Sequence, residues 1–435
     1  MILAVYVFLW SRQLYGINAA FIALSLYVLD PNIIAHARIV HQNIFGTTAI
    51  FIATYYFWRF LNFGGRKNAV LSTITFGIAQ ISRYTAIYLL PIYLILTFAF
   101  YRKTIINLVK KPNLKSFYKI IQRFILGIIT FALAAIIVVN LGFSFEKTFT
   151  KFGNYQFASE SLTSLQTDAK FLKNIPVPVP YAYLKGLDMG KYKQETGFGN
   201  LPTYLMGELG LKNGEMTGFK EYFIIAFLYK VPIATQIIFW MAIVSLCRYR
   251  HHTNFWRNEV FLLFPPLFFF TAMSFSTAQI GIRYILMIFP FLFVFSGRIA
   301  LFWNAFKHRY RIFVLGLIAY LLVSNLSYYP HYLSYFNELL PDRKMAYTIL
   351  ADSNLDWGQN RFYLKHYLAN HPQTMLTPTW PWLDLSKNQD SRQFSNPIFD
   401  PQQPQPGLVI IGSNELLGIT ANPQKYQWIR EKLKP

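Results

Sequence analysis

Three arginines sit among apolar neighbours: Arg38 in AHARIVHQN, Arg83 in ISRYTA and Arg283 in GIRYI. A guanidinium at the rim of a hydrocarbon layer is costly to hold without a counter-charge. Its planar fork matches two oxygens of a phosphate. No carboxylate close in sequence clearly pairs any of the three, so together they suggest one site for an anionic headgroup. The plainer alternative is that each snorkels to ordinary phospholipid. Lys230, in FLYKVPIA, lies within an apolar run and either snorkels or faces a polar cavity; Pro232 loosens the helix just after it. His36 and His41 are five residues apart, which puts them off a common helix face and makes an interfacial place a better fit than a shared metal. Asp30–Pro31 reads as an N-cap followed by proline at the first helical position. ADSNLDWGQN, Ala351–Asn360, gathers Asp352, Asn354, Asp356, Trp357 and Gln359. Carboxylates and amides suit sugar hydroxyls and an indole suits the ring face; a turn with a helix cap is the alternative. No Gly-rich phosphate loop, HExxH, GxSxG or CxxC occurs, so no metal and no cofactor is expected.

The elements that must carry these residues follow from composition. Of 435 residues, 54% are apolar, 18% aromatic and only 14% charged, against about 25% charged in a soluble domain. Such a chain cannot cover itself in water and reads as an integral membrane protein. Its single cysteine, Cys247, forbids an intrachain disulfide. The formal charge of +22 is strongly segregated, and Asp30 is the single carboxylate of the first 145 residues. That is a topology signal rather than a nucleic-acid stripe, so no nucleic-acid partner is expected.

Apolar runs occur at Ile2–Trp10, Ile17–Leu29, Ile44–Leu61, Ala69–Ile81, Thr85–Tyr101, Phe124–Leu141, Tyr222–Cys247, Val260–Phe275, Tyr284–Gly297 and Ile312–Leu326. A bilayer core asks for roughly 20 residues per helix, so the shorter runs must borrow flanking residues or tilt. Alternate connections hold the basic clusters: Arg12; Arg59, Arg66 and Lys67; Arg102 to Arg123; Arg248 to Arg257; Arg298 to Arg311. The other short connections hold only Arg38, Arg83 and Arg283. The first set is therefore expected in the cytoplasm, and the three arginines outside. The expected division is membrane helices over 1–141, an extracytoplasmic loop over 142–221, membrane helices over 222–326 and an extracytoplasmic tail over 327–435 of a plasma (inner) membrane protein. Met1 then falls outside the membrane on a run of only about half a bilayer, so the chain is expected to begin inside a helix with an upstream part missing; a short re-entrant or interfacial first segment is the alternative.

The tail reads as a small α/β piece. Helical periodicity covers Asp342–Leu350 and Gly358–Ala369, Pro401–Gly407 is a loop, Leu408–Gly412 is a short strand and Gln424–Lys434 a helix. Ser386–Ser395 is polar and expected to be mobile.

Seven segments in order resemble the polyprenyl-phosphate-dependent membrane glycosyltransferases of the GT-C fold, in particular the family 39, protein O-mannosyltransferase-like and aminoarabinose-transferase-like enzymes. They are LDPNIIAHARIVHQN (Leu29–Asn43), ISRYTAIYLLPIYL (Ile81–Leu94), YLMGELG (Tyr204–Gly210), FLYKVPIA (Phe227–Ala234), IGIRYILMIFPFLFVFSG (Ile280–Gly297), YPHYLSYFNEL (Tyr329–Leu339) and DSNLDWGQN (Asp352–Asn360). The resemblance runs from Leu14 to Trp428. It implies an all-α multi-pass core of nine or ten helical segments with a small extracytoplasmic α/β domain at the C-terminus. It also implies transfer of a sugar from a polyprenyl-phosphate-linked donor to a lipid, glycan or protein acceptor on the outer face, among membrane lipids. Carried over residue by residue, Arg38, Arg83 and Arg283 are expected on the donor phosphate, and Lys230, from its place in an apolar run, is expected there with them. Glu208 resembles the acid of the family's GE motif and is expected to be catalytic. His36, Asn43 and Tyr284 are expected, with Asp352, Asn354, Asp356, Trp357 and Gln359, on sugar or acceptor. Two features depart from the family pattern: its principal acids lie upstream of anything present here, and Asn43 stands where an aspartate is common. An amide cannot accept a proton at neutral pH. A catalytically silent, lipid-phosphate-binding relative is therefore a second reading, and a transporter a third.

Overall fold

The computed structural model describes residues 1–110, 114–199, 201–248, 254–302, 308–377, 397–402, 404 and 406–432. Ser386–Ser395 lies outside them. The chain is mostly helical, and the ten apolar runs fall largely in helix, although Tyr222–Cys247 is broken after Lys230 with a bend of 111° and the runs Thr85–Tyr101 and Tyr284–Gly297 open in 3-10 segments. Contacts divide it into two compact units, one of Met1–Glu195, Val231–Met273 and Arg283–Tyr329, the other of Thr196–Lys230, Ser274–Ile282 and Pro330–Pro435.

The first unit opens with α1 (Ile2–Tyr15), α2 (Ile17–Val28) and α3 (Pro31–Arg38). The axis bends by 58° between α2 and α3. The cause is local: Asp30 Oδ1 accepts the Ile33 N–H at 2.9 Å and Pro31 supplies no N–H, so one helix is capped where the last cannot continue. Helices α4 (Gln42–Phe63) and α5 (Arg66–Ser82) form a hairpin through Gly64 and Gly65, both at positive φ, a conformation a side chain would strain. A short 3-10 turn, Tyr84–Tyr88, leads into α6 (Leu89–Lys110), followed by α7 (Leu114–Gly142). A Cβ on Gly77 of α5 would lie 2.5 Å from Val138 of α7, so the glycine sets how near those helices come. Two helices of the loop that follows, α8 (Glu160–Asp168) and α9 (Tyr181–Thr196), are joined by charge. Asp188 of α9 accepts the N–H groups of Ala158 and Ser159 at the start of α8 and pairs with Lys185 at 3.0 Å.

In the second unit, β1 (Tyr204–Leu205) pairs antiparallel with β2 (Glu208–Leu209), and β3 (Leu211–Lys212) with β4 (Glu215–Met216). Helix α10 (Tyr222–Lys230) ends that segment, and α11 (Ile233–Arg248) belongs to the first unit, the break falling beside Pro232. The first unit continues through α12 (Val260–Ser274), α13 (Phe289–Ser296) and α14 (His308–Leu326). The tail carries α15 (Arg361–Asn370), β5 (Met375–Leu376), β6 (Val409–Ile410), α16 (Ser413–Leu416) and α17 (Gln427–Lys432), with β5 and β6 parallel. Asp342–Leu350, expected as helix, forms only a 3-10 turn over Arg343–Thr348. Two small cores hold this unit, one around Tyr204, Ala351 and Leu417, the other around Met375, Phe399 and Tyr426.

Among the described residues, four helices are long and apolar enough to cross a bilayer, or six if each bent pair is one span. The protein is thus a helical membrane protein. Between lipid-exposed helices the hydrophobic effect offers little, and packing and internal polar bonds must supply cohesion. Trp10 is fully enclosed with Phe51 and Phe291 against it. Arg298 and Glu259, both fully buried, pair at 2.9 Å; Ser245 and the Tyr15 hydroxyl join them. Arg298 and Glu259 are therefore not loop charges, as the alternation of basic clusters suggests, but an internal ion pair.

Candidate anion-binding site

In the first unit, three places in the chain supply a set of donors: the residue after α5, the start of α4 and the 3-10 segment that carries Arg283. Arg83 follows α5 in extended conformation, and its side chain crosses α4 at Gly46; a Cβ there would lie 2.9 Å from both Cβ and Cδ of Arg83. Arg83 Nη1 is buried and finds no hydrogen-bond partner among the described residues. Arg283 is buried in a 3-10 segment, Ile282–Ile288, with its guanidinium carbon 5.5 Å from the Tyr284 ring centroid. Its charge acts on that of Arg83. His41, the N-cap residue of α4, feels both arginines. Partial loss of hydration and then the charges of Arg283 and Arg83 hold its imidazole below the usual histidine value, against a hydrogen bond with Asn43 that works the other way.

The opening turn of α4 adds more donors. His41 gives it no side-chain cap, so its first backbone N–H groups point out with the positive end of the helix dipole. Asn43, Gly46, Thr47 and Ile50 share one buried arc of the helix. Asn43 Nδ2 and Thr47 Oγ1 are both buried without a hydrogen-bond partner among the described residues. Burying an unsatisfied donor costs about 1–3 kcal/mol. Two such donors beside two guanidinium groups, one of which has a buried Nη1 with no partner among the described residues, make a place that favours an acceptor-rich anion.

The other expected site residues are distributed as follows. His36 is buried on α3 and Arg38 is exposed at its end, three residues before His41. Glu208, Lys230, Asp352, Asn354, Asp356, Trp357 and Gln359 all belong to the second unit. There Lys230 is enclosed, its Nζ donating to the carbonyls of Leu333 and Asn354 at 2.7 Å, with Phe336 under the charge. Asn354 is also fully buried: its Oδ1 accepts the Ile282 N–H, and its Nδ2 donates to the Tyr222 hydroxyl and the Ala351 carbonyl. Gln359 folds back on its own turn, accepting from the Trp357 N–H and donating to the Leu355 carbonyl. Burial raises the Asp356 carboxyl above its ordinary value, opposed by the N–H groups of Gly358, Trp357 and Asn360. Glu208 is exposed on the β1–β2 hairpin, next to a turn in which Met206 and Gly207 both take positive φ. No group of three His, Cys, Asp or Glu side chains that could hold a metal occurs among the described residues.

Sequence reasoning named Arg83, Arg283, Asn43 and Tyr284 but passed over Gly46 and Thr47. The available signal was small and polar residues at three- and four-residue spacing in an otherwise apolar helix.

Residues 1–131 match the model of a protein family described as dolichyl-phosphate-mannose-protein mannosyltransferase. The matched stretch includes Arg38, His41, Asn43, Gly46 and Arg83 and stops well before Arg283. It is shorter than the resemblance expected from the sequence, from Leu14 to Trp428. No curated protein and no solved structure matches the chain. The family match points to a membrane glycosyltransferase that uses a polyprenyl-phosphate-linked sugar.

Proposed function

We propose that the protein transfers a sugar from a polyprenyl-phosphate donor to an acceptor hydroxyl at the extracytoplasmic face of the plasma membrane, with Arg83 and Arg283 on the donor phosphate. The observation that carries this is their convergence: two guanidinium groups act on each other and on His41, beside an uncapped helix start and buried donors with no partner. Like charges repel when empty of ligand, and an anion between them turns that repulsion into attraction. In the reaction, the acceptor oxygen forms the new bond to the anomeric carbon as the bond to the phosphate oxygen breaks. Negative charge then collects on the departing phosphate, where the arginines stabilise it. Arg38 is proposed as a further contact to the donor phosphate, and His36 and Tyr284 as contacts to the sugar or acceptor.

The acceptor's proton needs a base. Asn43 cannot be one; in this reading its free Nδ2 hydrogen holds a donor oxygen. On the resemblance alone, Glu208 is proposed as that base, and Asp352, Asn354, Asp356, Trp357 and Gln359 as residues that bind sugar or acceptor. Lys230 enters as a brace for the Asp352–Gln359 turn, through its bond to the Asn354 carbonyl.

The amide at Asn43 favours a second reading, a relative that binds lipid phosphate without turning it over. The experiment is labelled-sugar transfer from a polyprenyl-phosphate donor by the protein in nanodiscs, beside donor binding. Transfer that falls at least tenfold in Arg283→Ala and in Glu208→Gln, with only the former losing binding, supports the enzyme. Binding without transfer in the unaltered chain supports the silent relative. Neither binding nor transfer overturns both.

A further inference from the structure

The loop after α7 carries an apolar stripe that the anion site does not use. On α7 the exposed side chains Ile129, Leu133, Ile137 and Leu141 recur every fourth residue, as on a lipid-facing helix stripe. The spacing continues past the helix end at Gly142 into Phe145 and Phe149, which are 53% and 65% exposed. Phe171, at 75%, and Ile175 are exposed apolar side chains of the returning chain. These are large apolar side chains with little cover, gathered in a few dozen residues.

The segment is held firmly to the helix it leaves. Phe149 N–H donates to the Val177 carbonyl at 2.9 Å, Val177 N–H to Thr150 and Phe152 N–H to Ile175, each at 3.0 Å, making an antiparallel ribbon. Asn140, in the last turn of α7, donates to the Pro178 carbonyl at 2.9 Å and accepts from the Thr148 hydroxyl. Tyr155 stacks on Phe157 and Tyr181 beneath. The ribbon is therefore tied within one turn of the point where the apolar helix ends. Lys147, Lys151, Lys170 and Lys173 are all exposed along it, with Glu146 and Asp168 as the acids beside them.

We infer that this ribbon lies in the headgroup layer of the membrane that α7 enters. Phe145, Phe149, Phe171 and Ile175 sit at the acyl boundary and the four lysines on lipid phosphates. Aromatic rings and snorkelling lysines are the side chains that this layer favours, and a chain whose apolar stretch Gly127–Gly142 ends there reaches it within its next residues. The occupant of the surface is lipid, and the inference holds whether or not the protein transfers sugar.

Nitroxide labelling tests it. Cys247→Ser removes the single cysteine, and labels are placed by Phe149→Cys and Phe171→Cys, with Phe145→Cys replacing either variant that does not fold. In nanodiscs of phosphatidylcholine and phosphatidylglycerol, the ratio of collisions with oxygen to collisions with a water-soluble nickel complex reports depth. The expected ratio at both sites is several-fold above that of Glu160→Cys on α8 and approaches that of Leu141→Cys. A water-like ratio at either site, equal to that of Glu160→Cys, overturns the inference.

Discussion

At Gly46 a single hydrogen atom leaves room for the stem of Arg83 to cross α4. Gly46→Ala is expected to push the guanidinium aside, weakening polyprenyl-phosphate binding several-fold while far-UV circular dichroism stays unchanged. His41 gives a pH signature at the same place. Its imidazole is held below the usual value of about 6.5 by lost hydration and by Arg283 and Arg83, and a bound anion would raise it again. Binding of a phosphodiester headgroup, whose own charge is constant over that range, is therefore expected to tighten as pH falls from about 8 to about 6, and His41→Gln is expected to flatten that slope. The arginines were legible in the sequence because a cation inside an apolar run is anomalous on its face. Gly46, Thr47 and the coupling of His41 were not, because their meaning depends on which side chain of a distant helix arrives there.

At the scale of elements, patterning served well where one rule acts alone. The apolar runs are largely helical, the run Tyr222–Cys247 being broken beside Pro232, and Asp30–Pro31 caps and starts α3 as its chemistry demands. It served less well in the tail, where Asp342–Leu350 has helical periodicity but too few residues to sustain more than a 3-10 turn. The hairpin at Tyr204–Leu209 rests on the positive φ of Met206, which no simple turn signal announces. Asp188 belongs here too, since one carboxylate anchors the start of a neighbouring helix. Burial works to raise its pKa, but the N–H groups of Ser159 and Ala158, the Ser159 hydroxyl and Lys185 more than offset this and hold it low. A depressed carboxyl stabilises the fold above its unfolded value of about 3.9 and loses that contribution as pH falls through the folded value. Asp188→Asn is expected to loosen the α8–α9 segment by about 1–3 kcal/mol, seen as faster limited proteolysis near Ala158 at pH 7. Proteolysis equal to that of the unaltered chain would show that the anchor is dispensable.

For the molecule as a whole, charge segregation told that the chain lives in a membrane, and the family match over residues 1–131 agrees. Segregation did not tell which charges are internal: Arg298 and Glu259 neutralise each other inside the helical unit. Removing one partner of a buried pair strands the other, so Glu259→Gln is expected to cost about 3–5 kcal/mol and to lower the Tm in detergent. The double replacement Glu259→Leu with Arg298→Leu is expected to recover much of that loss. Equal Tm values for the single and double variants would mean that the charges do not act as a pair. The division of the chain into two compact units was likewise hidden, because Arg283 and Ile282 are neighbours in sequence yet fall on opposite sides of the boundary. The central claim is that Arg83 and Arg283 grip one phosphate, and a double-mutant cycle on polyprenyl-phosphate affinity tests it most directly. Each single alanine is expected to weaken binding about 10-fold or more, in line with a charged hydrogen bond of about 1.5–3 kcal/mol. The double variant should then lose far less than the product of the two, because the groups act on a shared ligand. Losses that multiply, or binding untouched by either alanine, would contradict the account.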